Sequence, residues 1–135
     1  MASKSSCDVF ISYSHKDSVW VRGKLIPELE AHGFSVMADY RDFRTGSISV
    51  AEMERAVLNC RHVLLVLTPS YVSSRFGNFE NAMAQTTDPD AAWRKVIPLL
   101  RENCEIPLRL RILHYCDLRN NEDEAKWALL MRDLT

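Results

Sequence analysis

The sequence predicts an α/β fold: a flavodoxin-like five-stranded parallel sheet in the order 2-1-3-4-5, with helices on both faces. Three observations lead there. Short β-branched runs such as CDVFISY (7–13) and HVLLVLT (62–68) alternate with stretches of helical periodicity. The run 62–68 is apolar on both faces, as a strand in the middle of a parallel sheet must be. The spacing between strands suits right-handed helical crossovers, which leave a parallel sheet covered on both sides.

CDVFISY is the first strand. SHKD follows, with Ser14 or Asp17 placed to cap a helix that runs to His32 and buries Val21, Leu25 and Leu29. Pro27 removes a hydrogen bond inside that helix and its ring meets the carbonyl of Gly23, so a kink is expected there. Gly33 then ends the helix. FSVMADY (34–40) is the second strand and RDFRTGS a polar loop. Ser49 and Glu52 form a capping box for a helix with Val50, Met53, Val57 and Cys60 on its inner face. HVLLVLT is the third strand, stopped by Pro69, and PSYVSSR is a loop into the next helix. KVIPLL (95–100) reads as the fourth strand, although Pro98 weakens it or moves it to a sheet edge. LRLRI (108–112) alternates and suggests an extended piece; ILHYCDL (112–118) is the fifth strand. Asn120 or Asn121 caps a last helix with Trp127, Leu130, Met131 and Leu134 facing inward.

Composition narrows the function classes. With 135 residues, 47% apolar and 26% charged, the chain can bury one core without disulfides or metals. A net charge of -1 gives no footprint for nucleic acid or an anionic membrane. No apolar run approaches the roughly 20 residues of a membrane span. Residues 1–6 read as a disordered lead-in, and 7–135 as a single domain, expected to be part of a longer protein. Cys7, Cys60, Cys104 and Cys116 lack metal-site spacing and are expected to be free thiols of a cytoplasmic protein. A P-loop is excluded because no GxxxxGK occurs. A phosphorelay receiver is excluded because Ser12-Tyr13-Ser14 and Leu67-Thr68 stand where it needs carboxylates.

One residue breaks the helical pattern. In RFGNFENAMA (75–84), Phe76, Phe79, Glu80 and Met83 fall at i, i+3, i+4 and i+7, and the third is a glutamate. A buried, unpaired carboxylate costs several kcal/mol, so Glu80 is expected to be partly desolvated for a reason. Ligands of such sheets bind beyond the carboxyl ends of the strands where the strand order reverses. That rule brings Tyr13, Ser14 and His15 beside residues 69–80, with the 39–48 loop on the flank, and so places Glu80 at a cleft. The plainer reading makes Glu80 a rim residue paired with Arg75 or Arg94. Ser14, His15 and Asp17 lie too close in sequence to converge as a triad.

DVFISYSHKD (8–17) resembles the first signature box of the Toll/interleukin-1 receptor (TIR) domain. The likeness continues through HGFSVMADYRDFRTG, MERAVLNC and HVLLVLTPSY to a segment close to the family's Ser-x-x-x-Trp-x-x-x-Glu theme. IPLLRENCEIPLRLRILHYCDL is most similar to bacterial members. The resemblance implies self-assembly with other TIR protomers in immune or defence signalling. In many members it also implies cleavage of NAD⁺ at the nicotinamide–ribose bond, with NAD⁺ as substrate and no further cofactor or metal. By the same comparison Glu80 is the catalytic glutamate. Phe76 stands where those members carry tryptophan, keeping an aromatic wall without the indole N–H. Tyr13, Ser14 and His15, with Asp39, Gly46 and Ile48 of the 39–48 loop, would line the nucleotide pocket. The rival reading is a catalytically silent TIR adaptor that only assembles.

Overall fold

The computed structural model describes residues 7–38, 49–86, 88–111, 113–120 and 122–135, apart from the side chains of residues 49, 50 and 52. Five parallel strands form one sheet in the order β2-β1-β3-β4-β5. They are β1 (Cys7–Ser12), β2 (Val36–Ala38), β3 (Cys60–Leu67), β4 (Val96–Leu100) and β5 (Cys116–Asp117). The central strand β3 buries Val63 through Leu67 completely, which explains its unbroken apolar run. Its even-numbered residues Leu64 and Val66 pack with Val21, Leu25, Leu29, Trp127 and Leu130 on one face. Its odd-numbered residues Val63, Leu65 and Leu67 pack with Met53, Val57, Phe79 and Met83 on the other.

The first helical segment resolves the Pro27 problem locally. A 3-10 turn (His15–Asp17) leads into α1 (Ser18–Trp20), a π-helix (Val21–Leu25) and α2 (Ile26–Ala31). The expected kink is this π segment, closed by the Ile26 N–H donating to the carbonyl of Val21, five residues back. Pro27 follows directly on that π turn, whose wider hydrogen-bond step makes room for the ring and the missing N–H. Gly33 adopts φ 89° and ends the helix, with the Phe34 N–H reaching Leu29 O at 3.2 Å and the Gly33 N–H reaching Glu30 O at 3.0 Å.

The next helix, α3 (Ser49–Asn59), begins where its capping box predicts, although the Ser49 and Glu52 side chains of that box lie outside what is described. Beyond β3 the structure is more helical than the sequence suggests. Residues that read as a loop form α4 (Pro69–Ser74), capped by the Thr68 hydroxyl, which accepts from the Tyr71 N–H at 3.1 Å. The glutamate-bearing helix is α5 (Phe76–Ala84), which shares its side of the sheet with α3. A short α6 (Pro89–Trp93), capped by Asp88, has no counterpart among the sequence expectations. LRLRI is not extended: Leu108–Leu110 is a 3-10 turn. The fifth strand is only two residues long, and α7 (Glu124–Leu134) is capped by Asp123 and not by Asn120, while Asn121 lies outside the described residues. Asp123 accepts from the Ala125 and Lys126 N–H groups, whereas Asn120 accepts from Glu122 in the preceding turn.

Two further expectations are corrected. Pro98 sits inside the sheet, between β3 and β5, and not at an edge. Lys95 O and Arg101 N both bond to β3, so alternation turns the backbone of residue 98 toward β5. The β5 ladder begins only at Leu99, so the absent N–H of Pro98 leaves no partner stranded. Cys7 and Cys60 are not free thiols. They are directly paired residues on β1 and β3, with Cα atoms 4.7 Å apart, and are joined as a disulfide. Cys104 and Cys116 are free. No helix among the described residues is long and apolar enough to cross a membrane.

Candidate functional site

Glu80 projects from α5 on the face that carries α3 and α4. Phe76 and Phe79, on the same helix, are buried, Phe76 at 6% exposure and Phe79 fully. Glu80 itself is exposed, so the expected desolvation is absent: it stands at the edge of the apolar stripe, one position round from its centre. No ion pair joins it to Arg75, Arg94 or any other described cation. It faces two adjoining open cavities. One, of about 390 Å³, lies between α5 and the 105–111 segment and is bordered by Phe76, Glu80, Ile106, Arg109 and Arg111. The other, of about 310 Å³, is bordered by Glu80, Ala84, Pro89, Trp93 and Arg109.

The first loop is tied to α4 by hydrogen bonds. The Ser12 and Tyr71 hydroxyls share one at 2.9 Å, and the Thr68 hydroxyl donates to the Asp17 carboxylate at 2.6 Å. Tyr71 in turn meets Phe76 edge-on, with ring centroids 6.4 Å apart. A chain of contacts therefore links the end of β1 to the start of the Glu80 helix, but neither cavity that Glu80 borders is lined by Tyr13, Ser14 or His15. The individual side chains are placed less simply. Tyr13 is fully buried, so in this conformation it offers no surface to a ligand. Ser14 is buried and caps the 3-10 turn, accepting from the Lys16 N–H at 3.2 Å. His15 is exposed. Asp17 is engaged by Thr68, which leaves no Ser14–His15–Asp17 triad. Asp39, Gly46 and Ile48 lie outside the described residues.

Two residues of the Glu80 groove escape sequence reasoning. Trp93 closes it from α6, meeting Phe79 edge-on with centroids 5.7 Å apart. Arg109 lies over the Trp93 ring at 4.5 Å from its centroid. The alternation of LRLRI is the only signal at Arg109, and it suggests a strand. A larger cavity, about 570 Å³, lies on the opposite face between α2 and α7, among Lys24, Glu28, His32, Glu124 and Trp127. It shares no lining residue with the two Glu80 cavities, and Lys24 there is already paired with Glu28 at 3.2 Å. Among the described residues no group of three or more His, Cys, Asp or Glu could hold a metal ion.

The sheet order, the linked first loop and α4, and the carboxylate at the rim of α5 define a flavodoxin-like α/β domain with its open groove beside the third crossover. A family model described as the TIR domain matches residues 9–131, and the chain belongs to that family. Horse Toll-like receptor 4 is 34% identical over 127 residues, covering 92% of this chain and 15% of the receptor. The Drosophila melanogaster protein Toll is 29% identical over 96 residues, covering 69% of this chain and 9% of that protein. The chain thus spans only a small part of these relatives. Among solved structures, the TIR domain of a Toll-related receptor from Hydra magnipapillata superposes with a TM-score of 0.79 at 23% identity, covering 96% of this chain and 98% of that one. The TIR domains of the activated Roq1 resistosome give a TM-score of 0.64 at 20% identity, over 96% and 100% of the two chains. At those identities the structural matches speak for the fold alone. The expected likeness to bacterial members is not supported by these relatives, which are animal receptors.

Proposed function

We propose that this TIR domain assembles with copies of itself in the cytoplasm and, once assembled, cleaves NAD⁺ at the nicotinamide–ribose bond, with Glu80 as the catalytic carboxylate. The observation that carries the reading is the setting of Glu80: an exposed carboxylate without a described cationic partner, beside the buried aromatic Phe76, in an open groove that also holds guanidinium groups.

The chemistry asks little of acid catalysis. The C1′–N bond breaks with its electron pair moving to the pyridine ring, so nicotinamide leaves neutral. The sugar is left as an oxocarbenium-like cation, which a carboxylate near the ribose stabilises. Water, or a group of the adenosine end, then forms the new bond to C1′ and gives up its proton to solvent. A carboxylate stabilises charge strongly only where water is excluded. In a single chain the groove is open and Tyr13 and Ser14 are buried, so one protomer supplies only part of an enclosing wall. A neighbouring protomer that covers the groove, and the 39–48 loop, would complete it. His15, exposed on the first loop, remains a nucleotide contact in this reading.

A second reading, an assembly module without catalysis, is favoured by the 34% identity to horse Toll-like receptor 4 over nearly the whole chain. The two separate on nicotinamide release from NAD⁺ by concentrated or artificially clustered protein, read by chromatography. Release by wild type supports the catalytic reading. No release above the uncatalysed rate, in a sample shown by light scattering to be assembled, supports the silent module.

A further inference from the structure

We propose that Arg109 is the phosphate-binding residue of the Glu80 groove and selects dinucleotides, through their pyrophosphate, over unphosphorylated nucleosides. This inference rests on the reading of Glu80 as the ribose-side carboxylate, and it concerns the opposite wall of the same groove.

Arg109 is the single described residue that lines all three cavities of this region: the two that contain Glu80 and a third of about 220 Å³ formed with Trp93, Leu108 and Leu113. Its charge is uncommitted, because no carboxylate among the described residues pairs with it. Arg111, the neighbouring guanidinium, is held instead by Ile106 O at 2.9 Å and by Glu105 at 3.6 Å. Arg109 is nonetheless placed by the Trp93 ring, with its guanidinium carbon 4.5 Å from the ring centroid. The ring takes none of the ordinary acceptor bonds a guanidinium can make, and its N–H fork matches two phosphate oxygens in one plane. A side chain already resting on the ring also loses less entropy when an anion binds. Glu80 and Arg109 form no ion pair although they border the same two cavities, so a ligand need not break one to enter. Leu108, at 76% exposure, lies beside Arg109 as an apolar shelf for a ring attached to the phosphates.

The test is calorimetric titration of ADP-ribose, adenosine and inorganic pyrophosphate into concentrated wild type, Arg109→Gln and Arg109→Lys. ADP-ribose is expected to bind wild type and to bind Arg109→Gln at least about tenfold more weakly, the loss of a charge-assisted pair of hydrogen bonds. Arg109→Lys should recover part of that loss, and adenosine should show no difference among the three proteins. Far-ultraviolet circular dichroism confirms that the variants are folded. Equal ADP-ribose binding by wild type and Arg109→Gln, or no binding by wild type, overturns the proposal; pyrophosphate binding indifferent to residue 109 does so as well. Nicotinamide release is measured on the same samples. Arg109-dependent ADP-ribose binding without any release contradicts the catalytic role of Glu80 and leaves the phosphate site standing.

Discussion

Glu80 is solvated in the resting domain and has no described partner, so its charge costs the fold little. Replacing it by Gln should therefore leave stability within about 0.5 kcal/mol of wild type, a change of at most about 3 °C in melting temperature for a domain of this size. A thermal melt checks this, and a larger drop would reveal an ion pair that the described residues do not contain. Asp117 is the contrasting carboxylate. Arg119 donates to it from Nε at 2.9 Å and Nη2 at 2.6 Å and, with the Arg119 N–H, holds its pKa down to about 2. A lowered pKa contributes stability that is complete above about pH 4 and lost as pH falls toward 2. Both partners are partly exposed, so water screens the pair and the gain is small. Asp117→Asn should accordingly be slightly destabilised at pH 7 and converge with wild type near pH 2, as urea melts across that range would show. The apolar stripe of α5 is legible in the sequence, with Phe76, Phe79 and Met83 all buried. The exposure of Glu80 is not, because a position at the stripe's edge can lie on either side of the water boundary and neighbouring elements decide which.

At the scale of elements, two glycines that look alike in sequence differ in what they tolerate. Gly33 ends the first helical segment at φ 89°, where a Cβ is strained whatever the space around it. Gly23 lies inside the π-helix without a positive φ, and a Cβ added there would meet nothing within 4 Å. Gly23→Ala should thus stabilise by about 0.5–1 kcal/mol, through the smaller entropy of the unfolded chain. Gly33→Ala should destabilise by about 1 kcal/mol or more. Chemical denaturation of the two variants checks both signs. Long periodic elements are legible: β1, β3, α3, α5 and α7 lie where apolar spacing puts them. Short elements are not, because they owe their shape to a cap and to packing. Thr68 starts α4 and Asp88 starts α6, each with proline in the first turn, a signature carried by TPS and DPD that is easily read as loop. LRLRI alternates like a strand, yet pairs with no described strand, and Leu108–Leu110 wind into a 3-10 turn that carries Arg109 into the groove.

For the whole molecule, the strand order can be deduced because four crossovers, three of them helical, leave few alternatives. The Cys7–Cys60 bond cannot, since 53 residues separate the pair in sequence and only the register of β1 on β3 brings them together. Alkylation of the unreduced, unfolded protein should accordingly modify two cysteines and, after reduction, all four. Four-fold modification without reduction would contradict the pairing. The groove itself is a whole-molecule property. Its walls come from α5, α6 and the 105–111 segment, and it is open in one chain. If a neighbouring protomer encloses it, specific activity must rise with protein concentration, because only the assembled fraction is competent. The most direct measurement of this is nicotinamide release from NAD⁺ by wild type and Glu80→Gln, each across a hundredfold range of protein concentration with assembly followed by light scattering. Release by wild type should climb more than linearly with concentration. At equal assembly Glu80→Gln should lose at least about 100-fold, as for a group acting chiefly in the transition state. Equal release by the two proteins, or none from assembled wild type, would contradict the catalytic role of Glu80.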